Sequence, residues 1–151
     1  MDEIVRPLAR GMADEGTPYR GILYVGLMLT GDGPQVIEFN CRLGDPEAQV
    51  ILPRLRSDLV AAMLATVEGT LGHVSLRWDN RSAVTVVMAA EGYPGAYEKG
   101  SVISGTEGAE ASDDVMLFHA GTKIDDAGTV TAHGGRAVSY THLTLPTSSQ
   151  V

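Results

Sequence analysis

Val36-Ile37-Glu38-Phe39-Asn40-Cys41-Arg42-Leu43-Gly44-Asp45-Pro46-Glu47-Ala48-Gln49 starts as an apolar, strand-like run and ends in helix-start signals. Side chains alternate along a strand, so Ile37 and Phe39 take one face while Glu38 and Asn40 take the other. A carboxylate and a carboxamide on one face are hard oxygen ligands, and they suit Mg²⁺ bound mainly to substrate phosphates. Arg42 adds a planar fork of donors for phosphate or carboxylate. The Gly44-Asp45 turn then leads into a helix N-terminus, which favours anions. Together these residues make a corner suited to phosphoryl transfer. Spacing alone leaves a plainer reading open, in which Glu38 and Asn40 decorate the wet face of an antiparallel strand.

Before this stretch, residues 19–30 are apolar and partly β-branched or aromatic, and Gly31-Asp32-Gly33-Pro34 supplies a turn, so the two runs predict a hairpin. Residues 2–13 carry Ile4, Val5, Leu8 and Met12 at helical spacing and predict a short helix. On the other side, Asp45 sits as an N-cap with Pro46 as first helical residue, in a helix ending near Pro53. Ser57-Asp58 is a second cap signal for a helix running to Gly69, whose stripe of Leu59, Val60, Met63, Leu64 and Val67 is expected to be core. Beyond a junction at 72–79 the pattern switches to strands at 83–89, 101–103, 115–120 and 129–132, separated by Gly-rich turns.

Composition narrows the functional classes. The 151 residues are 44% hydrophobic, enough for one domain or two small ones. The apolar runs fall far short of the roughly 20 residues a membrane helix needs, and the first residues lack the order of a secretory signal. A formal net charge of -8 argues against nucleic acid as partner. The single cysteine, Cys41, cannot form an internal disulfide, which points to a reducing, cytoplasmic setting.

Several blocks occur in a specific order: Tyr24-Val25-Gly26-Leu27-Met28, the Glu38 to Glu47 run, Glu91-Gly92-Tyr93-Pro94-Gly95-Ala96-Tyr97-Glu98-Lys99-Gly100, Phe118-His119-Ala120-Gly121-Thr122 and Gly134-Gly135-Arg136. In order and spacing this resembles the phosphoribosylamine-glycine ligase family of ATP-grasp enzymes, over residues 2–138. The resemblance implies an α+β fold: the second lobe of an ATP-grasp domain at 1–75, then an incomplete, small β-rich carboxy-terminal domain at 76–138. It implies ATP as substrate, Mg²⁺ or Mn²⁺ held by Glu38 and Asn40, Arg42 as catalytic residue, and Gly44 and Asp45 as substrate-binding residues. The small-molecule partners would be ATP, glycine and 5-phosphoribosylamine. Other ATP-grasp ligases, biotin-dependent carboxylases among them, share the Glu-x-Asn-x-Arg core but continue differently after the arginine. A carboxylase and a non-enzymatic metal-binding module are the alternatives.

Against that family pattern, the Gly-rich phosphoribosyl-binding amino-terminal domain, the first ATP-grasp lobe and the end of the small domain are not in this sequence. The chain therefore reads as a fragment, inactive by itself. Residues 139–151 are Ser/Thr-rich without Asp, Glu, Lys or Arg, and the resemblance stops there, so they are expected to be foreign to the fold and poorly ordered. His73, His133 and His142 lack zinc-like spacing, and His119 in an apolar run reads as a core or interface residue. Cys41 reads as a small packing residue, and Gly92-Tyr93-Pro94-Gly95 as a tight turn rather than a phosphate loop. By the resemblance, this loop and Arg136 are also candidates for contact with a ribosyl phosphate.

Overall fold

The computed structural model describes residues 1–110 and 112–144. The fold is α+β, in two compact units. The first comprises Met1–Gly44 with Ser57–Arg77, and the second Asp45–Arg56 with the residues from Trp78 onward.

In the first unit, helix α1 (Val5–Asp14) precedes an antiparallel hairpin of β1 (Tyr24–Thr30) and β2 (Gly33–Asn40). The Gly31-Asp32 turn is closed by Thr30 Oγ1, which donates to the Gly33 carbonyl at 2.9 Å. The register shifts between Gly26 and Leu27, so Glu38 stands opposite Gly26 while Val36 stands opposite Leu27, leaving Ile37 in a bulge.

In the second unit, α2 (Glu47–Ile51) is followed by one 3₁₀ turn, Leu52–Arg54. Asp45 does not cap it as its sequence position suggested. The helix begins one residue later, at Glu47, without a side-chain cap. The Asp45 carboxylate is instead occupied by Gln49 and Arg136.

Helix α3 (Leu59–Glu68), in the first unit, matches its sequence signals closely. Asp58 Oδ1 accepts from the amides of Val60 and Ala61 at 2.7 and 3.2 Å, and Gly69 closes the far end with φ of 75°. Such a cap contributes about 1 kcal/mol. Its stripe is not core, however. Val60, Met63, Leu64 and Val67 are exposed, and the buried residues are Ala62 and Ala65. The described elements of this unit are one hairpin and short helices, too few to cover the apolar side chains that α3, β1 and β2 present.

The core of the second unit is a three-stranded antiparallel sheet in the order β3 (Ser82–Ala89), β7 (Arg136–Thr144), β4 (Val115–His119). Between its strands lie α4 (Thr106–Glu110) and a small ribbon of β5 (Thr122–Ile124) and β6 (Val130–Ala132). Residues 101–103 do not form the expected strand; Val102 makes only an isolated bridge to Thr131. His119 is exposed at the end of β4 rather than in the core, with Nδ1 3.1 Å from Thr122 Oγ1.

Residues 139–144 also differ from the expectation of poor order. They form the greater part of the central strand, with residues 139–142 paired on both sides, and Val138, Ser139, Thr141 and Leu143 are buried. Backbone pairing places them there despite polar side chains. Thr141 Oγ1 donates to the Gln49 carbonyl at 2.7 Å and lies 3.1 Å from Thr85 Oγ1, tying α2 to the sheet. Residues 145–151 of that expectation lie outside the described residues.

The carboxylate of Asp79 joins the two chain segments of the second unit. It accepts from the Arg81 amide and from Nε and Nη2 of Arg81, and Arg56 Nη2 pairs with it as well. The Asp79 amide donates to the Arg54 carbonyl, and Arg54 Nη2 donates in return to the Asp79 carbonyl. Hydrogen bonds from the Arg81 side chain and backbone hold the Asp79 carboxyl well below the usual carboxylate range, against desolvation. A carboxyl lowered in the folded state stabilises the fold above its unfolded value of about 3.9, and that stability is lost as the pH falls below it. Asp79→Asn is therefore expected to lower the melting temperature at neutral pH and to flatten its decline between about pH 5 and pH 2. Parallel wild-type and variant curves of melting temperature against pH would remove Asp79 from the acid response.

Candidate functional site

Glu38 and Asn40 lie on β2 beyond the bulge, opposite Gly26 and Tyr24 respectively, so the alternation read from the sequence holds for both. Glycine at 26 leaves room for the Glu38 stem. A Cβ at that position would stand 3.1 Å from Glu38 Cγ and 3.7 Å from Tyr24 Cε1. Glu38 is exposed and Asn40 half-buried, and neither side chain is hydrogen-bonded to another described residue. Two free oxygen donors on one wet strand face fit a Mg²⁺-like ion that takes its other ligands from water and phosphates. They do not fit a closed protein cage, since no group of three or more acidic, histidine or cysteine side chains gathers among the described residues.

Arg42 follows on the loop, exposed, with Nη1 donating to the Leu43 carbonyl at 2.9 Å. It lines a mainly apolar cavity of ≈ 450 Å³ with Arg20, Cys41, Leu43, Met63 and Val67. Arg20 closes the other side, its Nη1 donating to the Val67 carbonyl at 2.9 Å near the carboxy-terminal end of α3, where a cation is favoured. Cys41 is exposed and has Tyr19 beside it. Desolvation, reinforced by Cys41, pushes the Tyr19 phenol above its ordinary range, and its hydroxyl donates to the Ile22 carbonyl at 2.7 Å.

Gly44 is buried at the end of the first unit, and Asp45 opens the second. Glu38 and Asn40 are thus brought together on one strand, with Arg42 and Gly44 following in the same unit. Asp45 has its contacts among second-unit residues: Gln49 Nε2 donates to Oδ1 at 2.9 Å, and Arg136 Nη1 donates to its carbonyl at 2.8 Å. Sequence reading missed Gly26, whose signal was a glycine inside a strand pattern, a mark of close approach. It also missed Gln49, which carries no local signal.

The chain matches known proteins along most of its length. Residues 1–48 match the family described as phosphoribosylglycinamide synthetase, ATP-grasp (A) domain, and residues 83–148 match phosphoribosylglycinamide synthetase, C domain. The chain is similar to the phosphoribosylamine-glycine ligase of Brucella melitensis, at 54% identity over 141 residues, covering 93% of this chain and 33% of the relative. It is 49% identical to the chloroplastic phosphoribosylamine-glycine ligase of Arabidopsis thaliana, covering 93% of this chain and 27% of the relative. A crystal structure of the phosphoribosylamine-glycine ligase of Thermotoga maritima superposes with a TM-score of 0.69 at 38% identity, over 89% of this chain and 32% of that one. The chain spans about a third of the length of the first of these relatives. Neither matched family is that of a carboxylase.

Because Glu38 is exposed and without a partner, Glu38→Gln is expected to leave the thermal stability of the chain within about 0.5 kcal/mol of wild type. Gly26→Val, which forces a branched side chain against the Glu38 stem at a buried position, is expected to cost 1 kcal/mol or more, of order 1–3 kcal/mol. Thermal unfolding of the two variants checks both, and a neutral Gly26→Val would show that the hairpin does not need the close approach.

Proposed function

Because the chain belongs to the phosphoribosylglycinamide synthetase family, we propose that it is the metal corner and following small domain of an ATP-dependent ligase that joins glycine to 5-phosphoribosylamine. The products are glycinamide ribonucleotide, ADP and phosphate, a step of purine synthesis. The observation that carries this reading is the pair Glu38 and Asn40, free on one strand face across from Gly26 and followed at once by Arg42. Glu38 and Asn40 would hold Mg²⁺ or Mn²⁺. When bound, the ion offsets negative charge on the phosphate oxygens.

The residues of this chain then act on the substrates. Arg42 steadies the phosphoryl group as the carboxylate of glycine attacks it, with ADP as leaving group. The amine of phosphoribosylamine next displaces phosphate from the acyl phosphate, forming the amide. Asp45 accepts a hydrogen bond from that amine and orients its lone pair, and the small Gly44 lets the substrate approach the backbone. By the family pattern, ATP lies between two lobes, so this chain by itself is expected to form no glycinamide ribonucleotide. The proposed setting is the cytoplasm. Among the described residues no helix is long and apolar enough to cross a membrane, and the Arabidopsis relative is named as chloroplastic.

The expectation that residues 139–151 are foreign to the fold gives way to a reading in which residues 139–144 are the C domain's own central strand. The C-domain match runs to residue 148, so the strand position belongs to the domain. Thr141 is satisfied there by the Gln49 carbonyl and Thr85, while Ser139 Oγ is buried without a hydrogen-bond partner among the described residues.

The experiment for the ligase assignment uses a full-length enzyme carrying this segment. Glu38→Gln is expected to reduce ATP turnover by roughly a hundredfold, about 3 kcal/mol of transition-state stabilisation, and to raise the Mg²⁺ concentration needed. Glu68→Gln, on the last turn of α3, serves as control. Near-normal turnover and metal dependence in a folded Glu38→Gln enzyme would return Glu38 to the solvated strand face.

A further inference from the structure

Arg136 stands 91 residues from Asp45 in sequence, yet both belong to the second unit and meet by two arms of one guanidinium. Nη1 donates to the Asp45 main-chain carbonyl at 2.8 Å, and Nη2 lies 3.4 Å from Oδ2. From the other side, Gln49 Nε2 donates to Oδ1 at 2.9 Å. Each carboxylate oxygen thus has one protein contact and keeps a lone pair free, since an ionised carboxylate offers about four acceptor sites. The Asp45 and Arg136 side chains remain 51% and 39% exposed, so the ion pair adds little stability. What the contacts determine is the direction in which the carboxylate points.

The backbone that leads into Arg136 is itself held in place. A Cβ on Gly135 would come within 2.1 Å of Tyr93 Cδ2, so the aromatic ring lies directly against the residue before Arg136. The Ala90 amide donates to the Gly135 carbonyl at 2.8 Å. Gly134 in turn presses on Gly121, where a Cβ would stand 2.5 Å from Gly134 Cα, and the Gly134 amide donates to the Gly121 carbonyl at 2.8 Å. These contacts place Gly134-Gly135-Arg136 by close backbone approach at positions where no larger residue fits. The Gly92-Tyr93-Pro94-Gly95 turn thus packs its Tyr93 ring against Gly135, the residue before Arg136.

We propose that Arg136, seated by Tyr93 on Gly135, and Gln49 are positioning residues that fix the Asp45 carboxylate for the amine substrate. The catalytic consequence rests on the ligase reading; the clamp does not. Arg136 therefore acts through Asp45, rather than by contact with a ribosyl phosphate.

Two measurements test this. In the 151-residue chain, Arg136→Met is expected to speed hydrogen exchange at the amides of residues 47–49 and at the Gln49 side-chain amide by about tenfold. Unchanged exchange overturns the clamp whatever the enzyme does. In the full-length enzyme carrying this segment, Arg136→Met is expected to lower kcat/KM for the amine by about tenfold with the KM for ATP unchanged. That loss should vanish when Asp45 is already Asn. Arg136→Lys, which keeps the charge but not the fork, should recover only part of it. If Arg136→Met does not fold, Gln49→Met takes its place, with a smaller loss that also vanishes beside Asp45→Asn. A loss that adds in full to that of Asp45→Asn overturns the positioning role and assigns Arg136 to the substrate directly. Wild-type kinetics in Asp45→Asn would sink the role of Asp45 in the ligase reading, leaving the exchange measurement to decide the clamp.

Discussion

Successive side chains on a strand point to opposite faces, and this constraint commits Glu38 and Asn40 to one side of a two-stranded hairpin. Gly26 across the ladder eases the arrangement, because a Cβ there would stand 3.1 Å from Glu38 Cγ and crowd its stem. The bulge at Ile37 comes just before the pair, so both residues sit in regular register behind it. Two oxygen donors are few for a protein-only metal cage but sufficient where phosphates and water supply the remaining ligands. On the proposed reading the segment is a half-site, to be completed by substrate.

The second unit solves a different problem, holding segments far apart in sequence around a small sheet. Asp79 does so with charge-assisted bonds to Arg81 and Arg56 and with a main-chain bond to Arg54. Arg81 extends the set to Asp114, which Nη1 reaches at 2.7 Å. Thr141 performs a similar service with a single buried hydroxyl bonded to the Gln49 carbonyl. Around Gly121, Gly134 and Gly135 the method is close approach of backbones, and its product is a fixed Arg136 beside Asp45. Polar bonds and absent side chains do here what a larger apolar core does in bigger domains.

What the sequence made visible was local. The turn at Gly31-Asp32, the Asp58 cap and the Gly69 stop each rest on residues within a few positions, and each stands as read. The same is true of the face shared by Glu38 and Asn40. What it hid depends on distant partners. Asp45 has the composition of an N-cap, but Arg136 and Gln49 claim its side chain, and α2 starts at Glu47. Residues 139–144 lack the apolar alternation of an ordinary core strand, and pairing to both β3 and β4 makes them one. The stripe on α3 has core periodicity and yet is exposed, because periodicity reports which face seeks burial and not whether a surface is there to meet it.

The central claim is that Glu38 and Asn40 bind the catalytic ion. Mn²⁺ relaxes nearby nuclei strongly, so its position can be read from the broadening of amide resonances in the full-length enzyme carrying this segment, with ADP bound. The account predicts broadening centred on Gly26, Glu38 and Asn40 at low Mn²⁺, and its loss in the Glu38→Gln variant. Broadening centred elsewhere, or unchanged in that variant, would contradict it.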